Sequence, residues 1–240
     1  MPTPPFGTIA EFAPISRAHL LDFPASVSSV TAAAIAIPGM SSWAALNDRA
    51  HFVAGETVLV NGATGTSGQL AVQIAKHLGA ARVIATGRNA ESLAQLEELG
   101  ADITLQLGDG LDAFESSLEK LFSTGIDVVL DYLWGDSARA TVIAAAKGSP
   151  DGIPIRFVHI GAASSPSMDL PSAALRSSSI ELMGSGIGSI PFEGLRDAIR
   201  SVLEAAGRVT FKTETTTFPL SDVAAAWTDA GRARTVVTIP

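Results

Sequence analysis

Three glycines at three-residue spacing, Gly62, Gly65 and Gly68, constrain this chain of 240 residues more than any other feature of its sequence. They follow an apolar run, TVLVN (57–61), that is typical of a buried strand, and they open a helical pattern over 67–79. A strand, a glycine-rich turn and a helix in this order form an arrangement that binds pyrophosphate. The first helical turn leaves backbone N–H groups unpaired, and the helix dipole adds positive potential at the same place.

The glycine turn, residues 62–68, follows the GxGxxG pattern in the form AxGxxG, with Ala63 in place of the first glycine. We expect Gly65 to let the backbone approach a pyrophosphate closely and Gly68 to let the helix pack tightly on the strand. Hydroxyl groups that could donate to the phosphates are carried by Thr64, Thr66 and Ser67. The alternative is an ordinary glycine-rich turn that binds nothing.

Short apolar runs alternate with helical patterns along most of the chain after residue 57. The predicted strands are 57–61, 82–86, 103–107, 126–132, 155–161 and 179–185, and the predicted helices between them are 67–79, 90–100, 111–122 and 136–147. Strands that are apolar on both faces and alternate with helices indicate a parallel sheet that is covered on both sides. The sequence therefore predicts an α/β fold with a doubly wound parallel sheet, a Rossmann domain, over roughly residues 28–205.

The composition excludes several other classes of function. The net charge is −8 and the basic residues are scattered, so we expect no nucleic-acid partner. The chain has no cysteine, and its four histidines stand far apart in the sequence, which makes a disulfide impossible and a metal site unexpected. The N-terminus lacks the pattern of a signal peptide, and the apolar run around TAAAIAI is too short to span a bilayer. A cytoplasmic protein without a membrane partner fits these features best.

The end of the second predicted strand, IATGRNAE, bears on the choice of cofactor. Dinucleotide-binding folds that select NAD usually place an acidic residue here to bond the ribose 2′-hydroxyl. This chain has Gly87, Arg88 and Asn89 instead, and Arg88 lies 20 residues after Gly68. A guanidinium at this place can bond a 2′-phosphate, so the sequence favours NADPH. The alternative is a solvated surface arginine.

Seven segments resemble, in order, the medium-chain dehydrogenase/reductase superfamily, and within it the zinc-independent quinone oxidoreductase branch. They are GTIAEF, AAAIAIPGMSSWAAL, GETVLVNGATGTSGQLAVQIAKHLGA, VIATGRN, ELGAD, GIDVVLDYLWG and the closing FPLSDVAAAW with RARTVVTIP. The resemblance covers nearly the whole chain. It implies an NADPH-dependent reductase whose substrates are quinones or other activated, unsaturated carbonyl compounds.

The resemblance also implies roles for four further residues. Ser41 is similar to the family's residue beside the nicotinamide, Gly161 to the loop under the nicotinamide ring, and Asp131 and Tyr132 to the strand end near the cofactor path. Structural alternatives stay open for three of them, since Ser41 and Asp131 could each cap a helix and Tyr132 could serve in core packing. No group of residues identifies a catalytic acid, and water is a sufficient proton donor for such substrates.

Members of the resembled family carry a β-rich, GroES-like substrate domain in addition to the cofactor domain, and little of it is recognisable here. Residues 1–27, with the strand-like piece TIAEFAPI, and residues 206–240, with a strand, helix, strand pattern, are expected to be remnants of that domain on either side of residues 28–205. A misplaced start in the coding region, a deliberate truncation and a natural loss would each explain such a sequence.

The sequence also fits two other functions. The chain could bind NADPH without turnover, as a redox sensor or an inert remnant. The pattern NGATGTSG also resembles atypical short-chain dehydrogenases, although typical members need a tyrosine followed four residues later by lysine, and here Tyr132 is followed by Asp136. The resemblance further implies a homodimer in which the strand at 179–185 pairs with its copy, because an apolar edge strand needs a cover.

Overall fold

Six parallel strands form the centre of the structure, a computed structural model that describes residues 7–108 and 110–239. The strands are β1 (Thr57–Asn61), β2 (Arg82–Gly87), β3 (Ile103–Gln106), β4 (Val128–Asp131), β5 (Ile155–His159) and β6 (Ile180–Gly184). Their spatial order is β3-β2-β1-β4-β5-β6, and every neighbouring pair is parallel. The order reverses between β1 and β4, which creates the crevice where doubly wound sheets bind ligands. The predicted fold class is confirmed.

Helices cover both faces of this sheet. They are α1 (Ser29–Ala44), α2 (Thr66–His77), α3 (Ala90–Glu98), α4 (Leu111–Phe122), α5 (Gly135–Gly148), α6 (Ser172–Arg176) and α7 (Phe192–Ala206). Alternate residues of each strand enter opposite cores: Val58 and Val60 pack with α1, α2 and α7, whereas Leu59 packs with α4 and α5. Burying one such side chain contributes about 1.5–3 kcal/mol, so the strands hold their carboxyl ends firmly in place.

Helix α1 runs through Pro38 and continues as a π-helical turn, Ala45–Arg49. The combined stretch Ser29–Arg49 is long and apolar enough to cross a membrane, with a mean hydropathy of 1.3, whereas the run identified from sequence alone is too short. In the structure, 56% of the most apolar 18-residue part of this stretch is buried, and the helix packs against α2 and α7. These contacts are those of a core helix in a globular fold.

The C-terminal segment, residues 206–240, forms a small separate sheet as far as it is described. Its strands β7 (Thr215–Pro219) and β8 (Arg234–Thr238) pair in parallel and are connected through the short helix α8 (Val223–Thr228). Residues 211–214 have no regular structure, so the first strand of the expected pattern begins only at Thr215.

The predicted strand in TIAEFAPI is wrong. Residues 8–15 contain bends and no strand, and the Phe12 side chain is 90% exposed. The physical reason is that a strand needs a hydrogen-bonded neighbour, and no described strand runs beside this segment.

Strand β6 is an outer strand of the six-stranded sheet. This position is the one that the expected homodimer requires, since a copy could pair with its free edge. The dimer itself stays a prediction.

Candidate functional site

The glycine turn connects β1 to α2 at the carboxyl edge of the sheet. Gly65 is the N-cap residue of α2 and offers no side-chain cap to the first-turn amides. A Cβ atom built on Gly65 would meet no other atom within 4 Å. Open space therefore lies directly over the unpaired N–H groups of a 12-residue helix, which is the geometry of an anion cradle.

Gly68 has the opposite surroundings. A Cβ atom at this position would lie 2.5 Å from Ala63 Cα and 2.6 Å from the Gly62 carbonyl oxygen. The first turn of α2 is thus packed directly on the backbone of the glycine turn. Gly62 itself has a positive φ of 86°, which L-residues with a Cβ rarely adopt.

The end of β2 holds the glycine turn through hydrogen bonds. The Gly62 amide donates to Thr86 Oγ1 over 3.0 Å, and the Ala63 amide donates to the Thr86 carbonyl over 2.8 Å. Ala63 is fully buried by this arrangement. Gly87 lies so close to the turn that its Cβ would come within 2.4 Å of the Thr64 methyl group. The two loops expected to bind one cofactor are therefore in contact.

Arg88 and Asn89 follow β2 in the loop that leads to α3. The Arg88 side chain is exposed, and its carbonyl accepts a hydrogen bond from Gln106 Nε2 over 3.2 Å. Asn89 caps α3, because its Oδ1 accepts from the Ser92 amide over 2.8 Å. The Asn89 cap fixes the backbone of the loop that carries the exposed Arg88 side chain.

Two cavities meet at Arg88. The larger one, the cationic cavity, has a volume of about 890 Å³, and its lining includes Thr64, Gly65, Thr66, Arg88, Lys212 and Arg232. The smaller cavity has a volume of about 410 Å³ and combines apolar side chains such as Leu107, Leu111, Phe114 and Leu133 with serines. Ser67 belongs to neither lining and lies partly exposed in the first turn of α2.

A chain of hydrogen bonds crosses the carboxyl ends of four neighbouring strands. Thr86 Oγ1 donates to Asn61 Oδ1 over 2.7 Å, and Asn61 Nδ2 donates to Asp131 Oδ1 over 2.8 Å. His159 Nδ1 lies 3.1 Å from Asp131 Oδ2, and its ring packs at a tilt of 44° against Trp134 with centroids 4.3 Å apart. We call Thr86, Asn61, Asp131 and His159 the strand-end network. It joins the base of the glycine turn to the loop after β4.

Asp131 is the centre of the strand-end network and is fully buried. Burial raises the pKa of the Asp131 carboxyl, while the hydrogen bonds from Asn61 and His159 act against the rise. Its oxygens also accept from the Leu133 and Trp134 amides just before α5. These bonds shape the loop between β4 and α5, and Trp134, with a φ of 60°, is the N-cap residue of α5.

Ser41, Tyr132 and Gly161 meet on the α1 side of the same sheet edge. The Ser41 hydroxyl donates to the Pro38 carbonyl over 2.7 Å inside α1, so the alternative of a helix cap is wrong. Its Oγ lies 3.5 Å from the Tyr132 hydroxyl. Burial raises the pKa of Tyr132 to about 12. The Cβ position of Gly161 lies 3.2 Å from the Tyr132 carbonyl, so a larger side chain would press on this backbone.

Sequence reasoning missed several residues of this region. Asn61, Thr86 and His159 are visible in the sequence as polar residues that close apolar runs, and this pattern could have found them. Lys212 and Arg232 could not have been found in this way, because the C-terminal segment reaches the cavity only through the fold. Within residues 7–108 and 110–239, no group of three or more His, Cys, Asp or Glu side chains is arranged to hold a metal ion.

Comparisons with known proteins agree with this architecture. The model of a family described as zinc-binding dehydrogenase matches residues 68–206. A probable NADPH-dependent quinone reductase of Emericella nidulans is 30% identical over 236 residues, which is 93% of this chain and 64% of that protein. The quinone oxidoreductase of Thermus thermophilus is 27% identical, with a TM-score of 0.72 over 93% of this chain and 69% of that chain. An NAD-dependent alcohol dehydrogenase is 25% identical, with a TM-score of 0.78 over 98% of this chain and 66% of that one.

The family match covers more than half of the chain. The chain therefore belongs to the zinc-binding dehydrogenase family of the medium-chain dehydrogenase/reductase superfamily, and it is quinone oxidoreductase-like. This finding confirms the family predicted from the sequence and separates the chain from the short-chain enzymes. The chain spans 64% of the length of the Emericella nidulans relative.

Proposed function

We propose that the chain is an NADPH-dependent oxidoreductase that reduces quinones or other activated α,β-unsaturated carbonyl compounds. The observation that carries the proposal is the open cradle at Gly65, where the N-terminus of α2 faces empty space at the switch point between β1 and β4. The relatives named as quinone reductases support the same activity. The residues 62–68, 87–89, 41, 131, 132 and 161 are the proposed cofactor site.

The two cavities fit the two parts of the nucleotide half of NADPH. The smaller cavity combines apolar side chains with serine hydroxyls, which suits an adenine ring, and its lining also includes Asp136 and Asp169. The cationic cavity is lined by Arg88, Lys212 and Arg232 against only two acidic residues, which suits phosphate groups. Arg88 belongs to both linings and would therefore reach the 2′-phosphate of a nucleotide that spans them.

The protein's own residues supply orientation and shelter from water. The bound cofactor supplies a hydride for an electrophilic carbon of the substrate. The Tyr132 hydroxyl is protonated at neutral pH, as any tyrosine with an ordinary pKa is, and burial, which raises its pKa to about 12, extends this to higher pH, so that it remains a hydrogen-bond donor beside Ser41. The strand-end network fixes the loop that carries Tyr132, since Asp131 bonds the amides that follow it. Water completes the reduction by protonating the product oxygen.

Turnover is the direct test of this proposal. We expect NADPH to be consumed faster in the presence of the protein and a small benzoquinone than in a blank without protein. The consumption is measured as the loss of absorbance of the reduced nicotinamide. Saturable binding of NADPH without any consumption would favour the alternative of a binding module or redox sensor. Absence of both binding and consumption would contradict the proposal.

Arg88→Ala is expected to weaken the binding of NADPH much more than the binding of NADH. A hydrogen bond to a charged group contributes about 1.5–3 kcal/mol, so the dissociation constant for NADPH should rise at least about tenfold. The NADH value should stay within about twofold, because NADH has no 2′-phosphate. Titration of both nucleotides by calorimetry measures the effect. Arg176→Ala, an exposed change on α6 outside both cavities, is the control, and equal losses for the two nucleotides would contradict the assignment of Arg88.

A further inference from the structure

The C-terminal segment is tied to α2 by one buried side chain. Gln73 is only 8% exposed, and its amide group meets both main-chain polar groups of Lys212. The Lys212 amide donates to Gln73 Oε1 over 2.7 Å, and Gln73 Nε2 donates to the Lys212 carbonyl over 3.0 Å. The two residues are separated by 139 positions in the sequence. The contact therefore joins two distant parts of the chain with the bond pattern of a paired strand.

Gln73 lies on the face of α2 that leads from the glycine turn to Lys212. Thr66, Gln69 and Gln73 lie at spacings of three and four residues, so they share one face of the helix. Thr66 and Gln69 line the cationic cavity, and so does Lys212. The face that begins at the anion cradle thus ends at the residue that holds Lys212.

The neighbouring residue shows how the segment is held without Gln73. Phe211 is buried in the main core, and its ring packs edge-on against His77 of α2, with centroids 5.8 Å apart. Phe211 supplies apolar contact but cannot fix the orientation of the next residue. Lys212 lies outside every strand, so the Gln73 amide provides the directed bonds that a strand neighbour would otherwise provide.

We propose that Gln73 is a positioning residue for cofactor selectivity: it holds the main chain of Lys212 against α2 and so presents the Lys212 ammonium to the 2′-phosphate beside Arg88. This inference rests on the proposed function. Lys212 is exposed, and fixing the backbone of a long exposed side chain lowers the ordering cost of its contact with a ligand. A methionine at position 73 would keep the length and the packing of the side chain while removing both bonds to Lys212, together with the bond from Gln73 Nε2 to the Gln69 carbonyl inside α2.

The test is a double-mutant cycle on the full chain, with dissociation constants for NADPH and NADH measured for wild type, Gln73→Met, Lys212→Ala and the double variant. We expect each single change to raise the NADPH value about fivefold to tenfold while the NADH value stays within about twofold. The double variant should bind NADPH as Lys212→Ala does, because no ammonium is left to position. Lys120→Ala, an exposed change on α4, controls for the loss of one positive charge.

Three outcomes would overturn the inference, and they are distinct from failure of the proposed function. If Gln73 is merely structural, Gln73→Met would weaken the binding of NADPH and NADH alike and lower the melting temperature. The ratio of the two dissociation constants would then stay unchanged. An unchanged ratio in Lys212→Ala would show that Lys212 does not contact the phosphate. Additive losses in the double variant would show that Gln73 acts by another route. If wild type binds neither nucleotide, the proposed function itself fails.

Discussion

Gly65→Val should abolish tight binding of NADPH while leaving the protein folded. The valine side chain would enter the space over the first-turn amides of α2, where nothing else lies within 4 Å of the Cβ position. The backbone at Gly65 has a φ of −84° and a ψ of 167°, which valine adopts readily. Loss of two charge-assisted hydrogen bonds would cost about 3 kcal/mol or more, so the dissociation constant should rise at least about a hundredfold.

The matched control is Gly7→Val, because Gly7 also has no atom within 4 Å of its Cβ position and lies far from the glycine turn in the sequence. Both variants should keep the far-ultraviolet circular dichroism spectrum and the melting temperature of the wild type. Only Gly65→Val should lose NADPH in an equilibrium titration. Unchanged affinity in this variant would remove the glycine turn from the cofactor site and with it the main support for the proposed function.

The strands and the glycine turn could be predicted from the sequence because their signals are local. A run such as TVLVN is apolar on both faces, which is typical of a strand covered on both sides, and a glycine-rich break before a helical pattern marks the turn. The observed β1, Thr57–Asn61, has the predicted bounds. Arg88 was also within reach, since its spacing from the turn follows from the length of α2 and β2.

Contacts between distant parts of the chain could not be predicted in the same way. Asn61, Asp131 and His159 are bonded because β1, β4 and β5 are neighbours in register, and the strand order is a property of the whole sheet. The tie between Gln73 and Lys212 depends in turn on where the C-terminal segment crosses α2. The same reason explains the wrong strand in TIAEFAPI. Its apolar residues favour a strand, but a strand forms only beside a neighbouring strand, and the local sequence pattern does not show whether one is present.

Gly68→Ala should destabilise the fold, in contrast to Gly65→Val, which should affect binding alone. In an unconstrained helix, replacing glycine by alanine stabilises by about 1 kcal/mol, because alanine has the higher helix propensity. At position 68 the added Cβ would lie 2.5 Å from Ala63 Cα and 2.6 Å from the Gly62 carbonyl oxygen, both of them backbone atoms. Neither can turn aside as a side chain would, so α2 must move away from β1. Overpacking of this kind costs about 1–3 kcal/mol. We therefore expect Gly68→Ala to lower the free energy of unfolding, whereas helix propensity alone would raise it.

Urea unfolding measures this effect as a drop in the free energy of unfolding relative to wild type. Ser116→Ala, at an exposed position of α4, is the control for placing alanine in a helix, and it should change stability by less than about 0.5 kcal/mol. A more stable Gly68→Ala protein would show that the helix is not seated on the turn as the structure has it. Since the anion cradle exists only while α2 is seated there, NADPH affinity should fall together with stability in this variant, whereas Gly65→Val separates the two.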